Sequence, residues 1–269
     1  MVQEINYKSL GNRYVLVVDD VELNQYLVKH IMESWGFKVD IVNNGREAVE
    51  WVKNNKYDLV LMDIQMPEMD GIEATREIRK LADAEKASIP IVALTANARK
   101  GDSEIYMAAG MNDLIPKPLN EQKLFLTISN HLKSGDQSPV GTVMSQESNT
   151  QASANQEKLY DLSMVQTISG GDMSFIKRMV QLFIDTMPPS LTDLQKETQQ
   201  QNWMQVSKVA HKIKATIDSM GINSLKEDVR TIESNGKKGE HLDTIPALVQ
   251  HLVTVVEACI GQLKSDFNL

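Results

Sequence analysis

Along the first half of the chain, short apolar runs alternate with longer segments in which apolar residues return every three or four positions. The runs are Tyr14 to Val18, Lys38 to Val42, Leu59 to Met62, Ile91 to Leu94 and a weaker Asp113 to Ile115. Runs of this length, rich in Val, Ile and Leu, suit strands covered on both faces, and the segments between them suit helices. The pattern predicts an α/β domain over 12–133: a doubly wound five-stranded parallel sheet, of the flavodoxin-like kind, in the strand order 2-1-3-4-5. Residues 134–157 are rich in Ser, Gln, Asn, Gly and Thr. They offer too little apolar surface to offset the entropy of ordering, so a flexible linker is expected there.

Beyond the linker the period is helical throughout. Ile176, Met179, Phe183 and Met187 form one apolar stripe. Trp203, Val206, Ala210, Ile213, Ile217 and Met220 form a second, and Ile245, Leu248, Leu252, Val255 and Cys259 a third. Stripes of this spacing, facing inward, predict a separate all-α unit over 158–269, a four-helix bundle. Pro188-Pro189 is expected to kink or break the first of these helices.

Composition narrows the function. With 42% hydrophobic and 24% charged residues, the chain can bury a core and remain soluble. A formal net charge of -8 argues against a general nucleic-acid binder, which needs a basic stripe to neutralise phosphates. The single cysteine, Cys259, cannot form an internal disulfide and fits a core position in a reducing compartment. No run of about 18 apolar residues is present, and MVQEINYKSLGNR lacks an apolar signal core. A cytoplasmic chain without membrane contact is expected.

In an open parallel sheet, ligands lie beyond the carboxyl ends of the strands. Asp19 and Asp20 follow the first predicted strand, Asp63 the third, Thr95 the fourth and Lys117 the fifth. Three carboxylates would then share one pocket. Each pair about 4 Å apart repels by roughly 4 kcal/mol at an effective dielectric near 20, so the cluster needs a proton or a cation. Mg²⁺ suits it, because that ion takes one or two carboxylates and completes its shell with water and a phosphate oxygen. A carboxylate beside Mg²⁺ can attack a phosphoryl group and become an acyl phosphate. Asp63 is the expected nucleophile, Lys117 a cation for the transition state, and Thr95 a hydroxyl that bonds a phosphoryl oxygen and reports its arrival to the following helix. Taken singly, each residue is equally well an N-cap, a strand threonine or a loop lysine; their order along the strands is what points to chemistry.

The same stretch resembles the receiver domains of bacterial response regulators and hybrid sensor kinases. The residues that carry the resemblance are VLVVDDVELN (Val15 to Asn24), LVLMDIQMPEMDG (Leu59 to Gly71), ALTANA (Ala93 to Ala98) and AAGMNDLIPKPL (Ala108 to Leu119). The resemblance implies that Asp63 is the phosphoacceptor. It also implies that Asp20, Asp63 and the Gln65 backbone carbonyl bind Mg²⁺, that Asp19 supports the site through water, and that Lys117-Pro118 is cis. Where the family often has Tyr or Phe three residues before the lysine, this chain has Leu114, which argues against an aromatic rotamer switch at that position.

In the second unit His211 stands one residue off the apolar stripe, which should place it beside Ser207, Lys214 and Asp218 on an exposed face. A neutral imidazole can accept and return a phosphoryl group near neutral pH. Lys214 could stabilise the phosphoryl oxygens, and the small Ala215 would let a partner's pocket approach. The other histidines, His30, His131, His241 and His251, are expected to be solvated and inert. The run VAHKIKATIDSMGINSLKEDVRTIES (Val209 to Ser234) resembles histidine phosphotransfer domains, over about Leu159 to Phe267. This implies that His211 is the phosphohistidine and Lys214 its accessory cation. Many such domains have Gly where this chain has Ala215.

Together these features predict a two-component phosphorelay protein, or the carboxyl-terminal part of a hybrid sensor kinase, carrying phosphoryl groups on Asp63 and His211. The receiver chemistry would include self-phosphorylation and autodephosphorylation. No Gly-x-x-x-x-Gly-Lys-Ser/Thr and no Gly-rich ATP lid is present, so phosphoryl groups must come from an upstream histidine kinase, either separate or an N-terminal part of the same protein. The expected recipient is the receiver of a downstream response regulator. A linker of this length, as a coil, reaches roughly 25 to 30 Å, enough to permit contact between the units. The competing readings are a phosphorylation-dependent docking or dimerisation module with an inert His211, and a metabolite phosphatase, disfavoured because no second Asp follows Asp63 two residues on.

Overall fold

The computed structural model describes residues 6–96, 100–132 and 158–269; the predicted linker, 134–157, and part of the ALTANA segment lie outside them. Strands β1 (Tyr14–Val18), β2 (Lys38–Val42), β3 (Leu59–Asp63), β4 (Ile91–Thr95) and β5 (Asp113–Pro116) form one parallel sheet in the order β2-β1-β3-β4-β5. The last three run one residue past the apolar pattern, because Asp63, Thr95 and Pro116 continue the ladder into the site. Helices α1 (Glu22–Ser34), α2 (Gly45–Asn54), α3 (Gly71–Arg79), the short α4 (Ala84–Ala87), α5 (Lys100–Ala109) and α6 (Glu121–Leu132) complete the unit.

The pleat divides the apolar residues between two layers. Val15, Val17, Leu59, Leu61, Val92 and Leu94 pack on one side with Leu23, Leu27 and Ile31 of α1 and Leu124 and Ile128 of α6. Leu16, Val18, Val60, Met62, Ile91 and Ala93 pack on the other with α2, α3 and Tyr106 of α5. Every residue of β3 and β4 is buried, and each such aliphatic side chain contributes roughly 1.5 to 3 kcal/mol. This two-sided burial removes any freedom of register, since a one-residue slip would exchange the two layers. A 3₁₀ turn at Tyr7–Leu10, which the sequence pattern did not predict, packs onto the sheet domain through Tyr7, stacked on Trp35 at 5.5 Å.

The second unit consists of the short α7 (Ser163–Ile168) and four longer helices: α8 (Met173–Gln199), α9 (Trp203–Ser219), α10 (Lys226–Lys238) and α11 (Ile245–Phe267). They close a bundle in which α8 packs on α9 and α11, and α10 on α9 and α11. The expected break at Pro188-Pro189 does not occur: α8 runs unbroken through both prolines. Met187 and Leu191 on either side of them are buried, and this packing outweighs the lost backbone donors. The third stripe is rotated slightly from the prediction, with Val249 and Val256 buried and Leu248 and Val255 half-buried. Helix α11 is long and apolar enough to cross a membrane by length and composition, but Ile245, Val249, Leu252, Val256, Cys259 and Leu263 form its bundle-facing side. Cys259 is free, and burial pushes its thiol up to about 12.

The two units meet. Helix α1 of the sheet domain lies against α8 and α9, and Phe175 of α8 stacks on Tyr26 (5.0 Å, 13°) and on His30 (3.8 Å, 27°). His30 is therefore not a solvated, inert histidine as expected: it is half-buried in the seam, because a partner ring from a distant segment covers it.

Candidate functional site

The register of the sheet assembles the first half of the site. Val18 pairs with Met62, Asp63 with Leu94 and Thr95 with Pro116, so the next residues along β1 and β5, Asp19 and Lys117, emerge beside Asp63 and Thr95. Asp19 is fully buried and Asp63 nearly so. The Lys117 ammonium donates to Asp19 Oδ2 at 2.7 Å and to Asp63 Oδ2 at 2.9 Å. Asp19 Oδ1 also accepts from the Val21 backbone N–H at 2.9 Å and from Asn24, and the Ile64 N–H donates to Asp63 Oδ1 at 2.7 Å. Gly71 closes the loop behind the pocket: a Cβ there would stand 2.1 Å from the Asp63 carbonyl oxygen, so only glycine fits. Lys117-Pro118 is cis.

Asp19, Asp20 and Asp63 each present a carboxylate oxygen, and these oxygens lie within 4.8 Å of one another. One internal lysine against three carboxylates leaves an excess of negative charge. Burial first, and then Asp19, hold the Asp63 carboxyl above the ordinary carboxylate range, against the opposing pull of Lys117. Burial alone would lower the Lys117 pKa, but the two carboxylates outweigh it and keep the ammonium firmly charged. Asp20 Oδ2 is buried without an aligned hydrogen-bond donor among the described residues. Three carboxylate oxygens this close together are the kind of donor set that a hard divalent cation takes. Gln65 sits half-buried two residues past Asp63. Thr95, also buried, shares a hydrogen bond of 3.2 Å with the Tyr106 hydroxyl of α5. Tyr106 was not among the predicted site residues, because its contact depends on how α5 packs over β4.

The second half lies on α9, and here the structure corrects the sequence. Ser207, His211, Lys214 and Asp218 share a face, but that face is covered by α10. Ser207 donates to the Glu233 carbonyl at 2.8 Å, and Asp218 pairs with Arg230 at 2.9 Å. Lys214 is buried and donates to Glu233 Oε2 at 2.5 Å, while His211 Nδ1 lies 2.6 Å from Glu233 Oε1. Burial alone would raise the Glu233 carboxyl, but the bond from His211 and the charge of Lys214 bring it down to about 2. The helices come this close at Gly236, where a Cβ would meet the Trp203 carbonyl at 2.7 Å. Glu233 was missed in the sequence because nothing local distinguishes it from the other acids of α10.

The two halves face each other. His211 is followed directly by Lys212, which reaches the receiver pocket. The Lys212 ammonium stands 2.7 Å from Asp20 Oδ2. Ala215, Asp218 and Ser219 of α9 and Asn24, Lys117 and Leu119 of the sheet domain line one seam.

Residues 15–129 match the family model of the response regulator receiver domain, and residues 178–266 match that of the Hpt domain. Aerobic respiration control sensor protein ArcB of Escherichia coli is 31% identical over 255 residues, covering 92% of this chain and 32% of that protein. Signal transduction histidine-protein kinase BarA of Escherichia coli is 30% identical over 242 residues, covering 88% of this chain and 26% of that protein. This chain thus spans a third or less of the length of these relatives. The receiver domain of sensor histidine kinase PA1611 from Pseudomonas aeruginosa, solved with magnesium in its active-site cleft, is 38% identical, with 46% of this chain and all of that one covered at a TM-score of 0.43.

Proposed function

The chain joins a response-regulator receiver domain to an Hpt domain, the arrangement of a two-component phosphorelay, and we propose that it moves a phosphoryl group between Asp63 and His211 of one molecule. The observation that carries this reading is the docking of α9 over the receiver pocket, which sets Lys212, the residue next to His211, 2.7 Å from Asp20.

Toward His211, the imidazole attacks the phosphorus of the Asp63 acyl phosphate; the new N–P bond forms as the P–O bond to Asp63 breaks, and the Asp63 carboxylate is the leaving group. Glu233 holds Nδ1, and with the proton on that nitrogen the Nε2 lone pair is free to attack. Lys117 stabilises the negative charge of the transferring group and meets the released carboxylate. Asp20, Asp63 and the Gln65 carbonyl would hold Mg²⁺, with Asp19 supporting it through water. When bound, that ion supplies Lewis-acid stabilisation of the phosphoryl oxygens. Lys214 is bonded to Glu233, so its role is to position Glu233 and not to meet the phosphoryl group directly. Thr95, by turning to a phosphoryl oxygen, would release Tyr106 and so report phosphorylation to α5. An upstream histidine kinase supplies the phosphoryl group, a downstream receiver takes it, and the site of action is cytoplasmic.

The test is to label wild type, Asp63→Ala and His211→Gln with a radiolabelled small phosphoryl donor and Mg²⁺, then compare survival in acid and base. Base-stable label in wild type that is lost from both variants, at a rate independent of protein concentration, is the expected result. Base-labile label alone would mean that His211 is inert and that the receiver acts as a docking module.

A further inference from the structure

The Asp20 side chain is almost fully buried, yet among the described residues its Oδ2 has no aligned hydrogen-bond donor and pairs only with the Lys212 ammonium, 2.7 Å away. The two lysines of the docked site divide the carboxylates between them. Lys117, from the receiver itself, takes Asp19 and Asp63; Lys212, delivered by the Hpt domain, takes Asp20. Lys212 is the residue next to His211, so it reaches the pocket only when His211 does. Its own side chain is 45% exposed, so it can withdraw into solvent without disturbing the bundle.

A divalent cation in this pocket needs the same carboxylate. We propose that Lys212 and the metal ion compete for Asp20, so that docking of the Hpt domain weakens metal binding and metal binding loosens the docked Lys212. Reciprocity follows from linkage: whatever factor docking takes from metal affinity, the metal takes from docking. Lys212 is in this sense a positioning residue. It seats α9 over the pocket while the metal is away, and it must swing out when the metal enters, leaving His211 in place and the Asp20 carboxylate free. The inference rests on the docking that supports internal transfer, but it concerns metal affinity and not transfer itself.

The experiment is calorimetric titration of the full chain with Mg²⁺ alone. Lys212→Met should bind Mg²⁺ about tenfold more tightly than wild type, within the range typical of coupled sites. Lys264→Met, which removes an exposed cation from α11, should match wild type and so account for net charge. Equal affinity in Lys212→Met and wild type, or an equal gain in Lys264→Met, overturns the proposal. His211→Gln keeps Lys212, so introducing Lys212→Met into that background should again tighten Mg²⁺ binding. If that gain persists while the labelling experiment finds no phosphohistidine, internal transfer fails and the competition stands.

Discussion

In the proposed relay the Asp63 and His211 sites carry the same group, but they are built on opposite principles. Around Asp63 three carboxylates meet one lysine of the same domain, an excess of negative charge that the sheet domain does not balance and that Lys212 of the bundle meets at Asp20. Around His211 the charges are already matched: Glu233 is shared between His211 and Lys214, and all three are largely buried. The first site draws its balancing charge from outside its own domain, whereas the second is satisfied by its own helices. A preorganised imidazole needs only a phosphorylated partner; a crowded carboxylate needs the electrostatic help that a metal provides.

The sharpest way to break this contrast is to remove the metal. Chelation should lower the rate of Asp63 labelling by a small phosphoryl donor by about 10³, near 4 kcal/mol of transition-state stabilisation, while leaving the hydrolysis of phosphohistidine already formed on His211 unchanged. Equal loss at both sites, read by acid and base stability of the label, would remove the distinction.

Acid tests the other side. The folded Glu233 carboxyl lies at about 2, below its ordinary value of 4.5. Its contribution is therefore fully present above pH 4.5, declines as pH falls toward 2, and is gone below that. A displacement of this size corresponds to about 3 kcal/mol. In denaturant unfolding, wild type should lose about that much more stability across this window than Glu233→Gln; parallel curves would show that the triad is not held by charge.

The seam comes next. Phe175→Ala removes the ring that stacks on Tyr26 and His30. A buried aromatic anchor at an interface is worth about 2 kcal/mol or more, so the equilibrium constant for docking should fall roughly 30-fold, and internal transfer should slow with it. Tyr26→Ala, on the receiver side, should have the same sign with a smaller effect. Undiminished transfer in both would place the productive contact elsewhere. The smallest expected effect is at Tyr106. Tyr106→Phe removes one buried hydrogen bond to Thr95, worth about 1 kcal/mol, and should blunt the change in amide exchange of α5 on phosphorylation. An unaltered exchange response would exclude Tyr106 from signalling.

Much of the receiver was legible because its information is local. Asp19, Asp20, Asp63, Thr95 and Lys117 stand at the ends of apolar runs, and once those runs pair in the order β2-β1-β3-β4-β5 the side chains have nowhere else to go. The histidine site was legible only in part. His211 could be found from its helical phase and its surrounding run, but the exposed face predicted for Ser207, Lys214 and Asp218 is buried, since the phase of one helix does not say which neighbour covers it. The break expected at Pro188-Pro189 failed for a related reason: local propensity was overridden by packing on both sides.

What the sequence by itself determined, then, is the division into a parallel sheet and a helical bundle and the residues that could bear phosphoryl chemistry, because short continuous apolar runs, a period of 3.6 residues and the positions of acids at strand ends are properties of short segments. Only the tertiary structure decided that Glu233 holds His211, that Tyr106 meets Thr95, that Phe175 covers His30 and that Lys212 reaches Asp20. Each of these pairings joins side chains from separate elements, and their approach is set by how helices pack on a sheet and on one another, which no local pattern records.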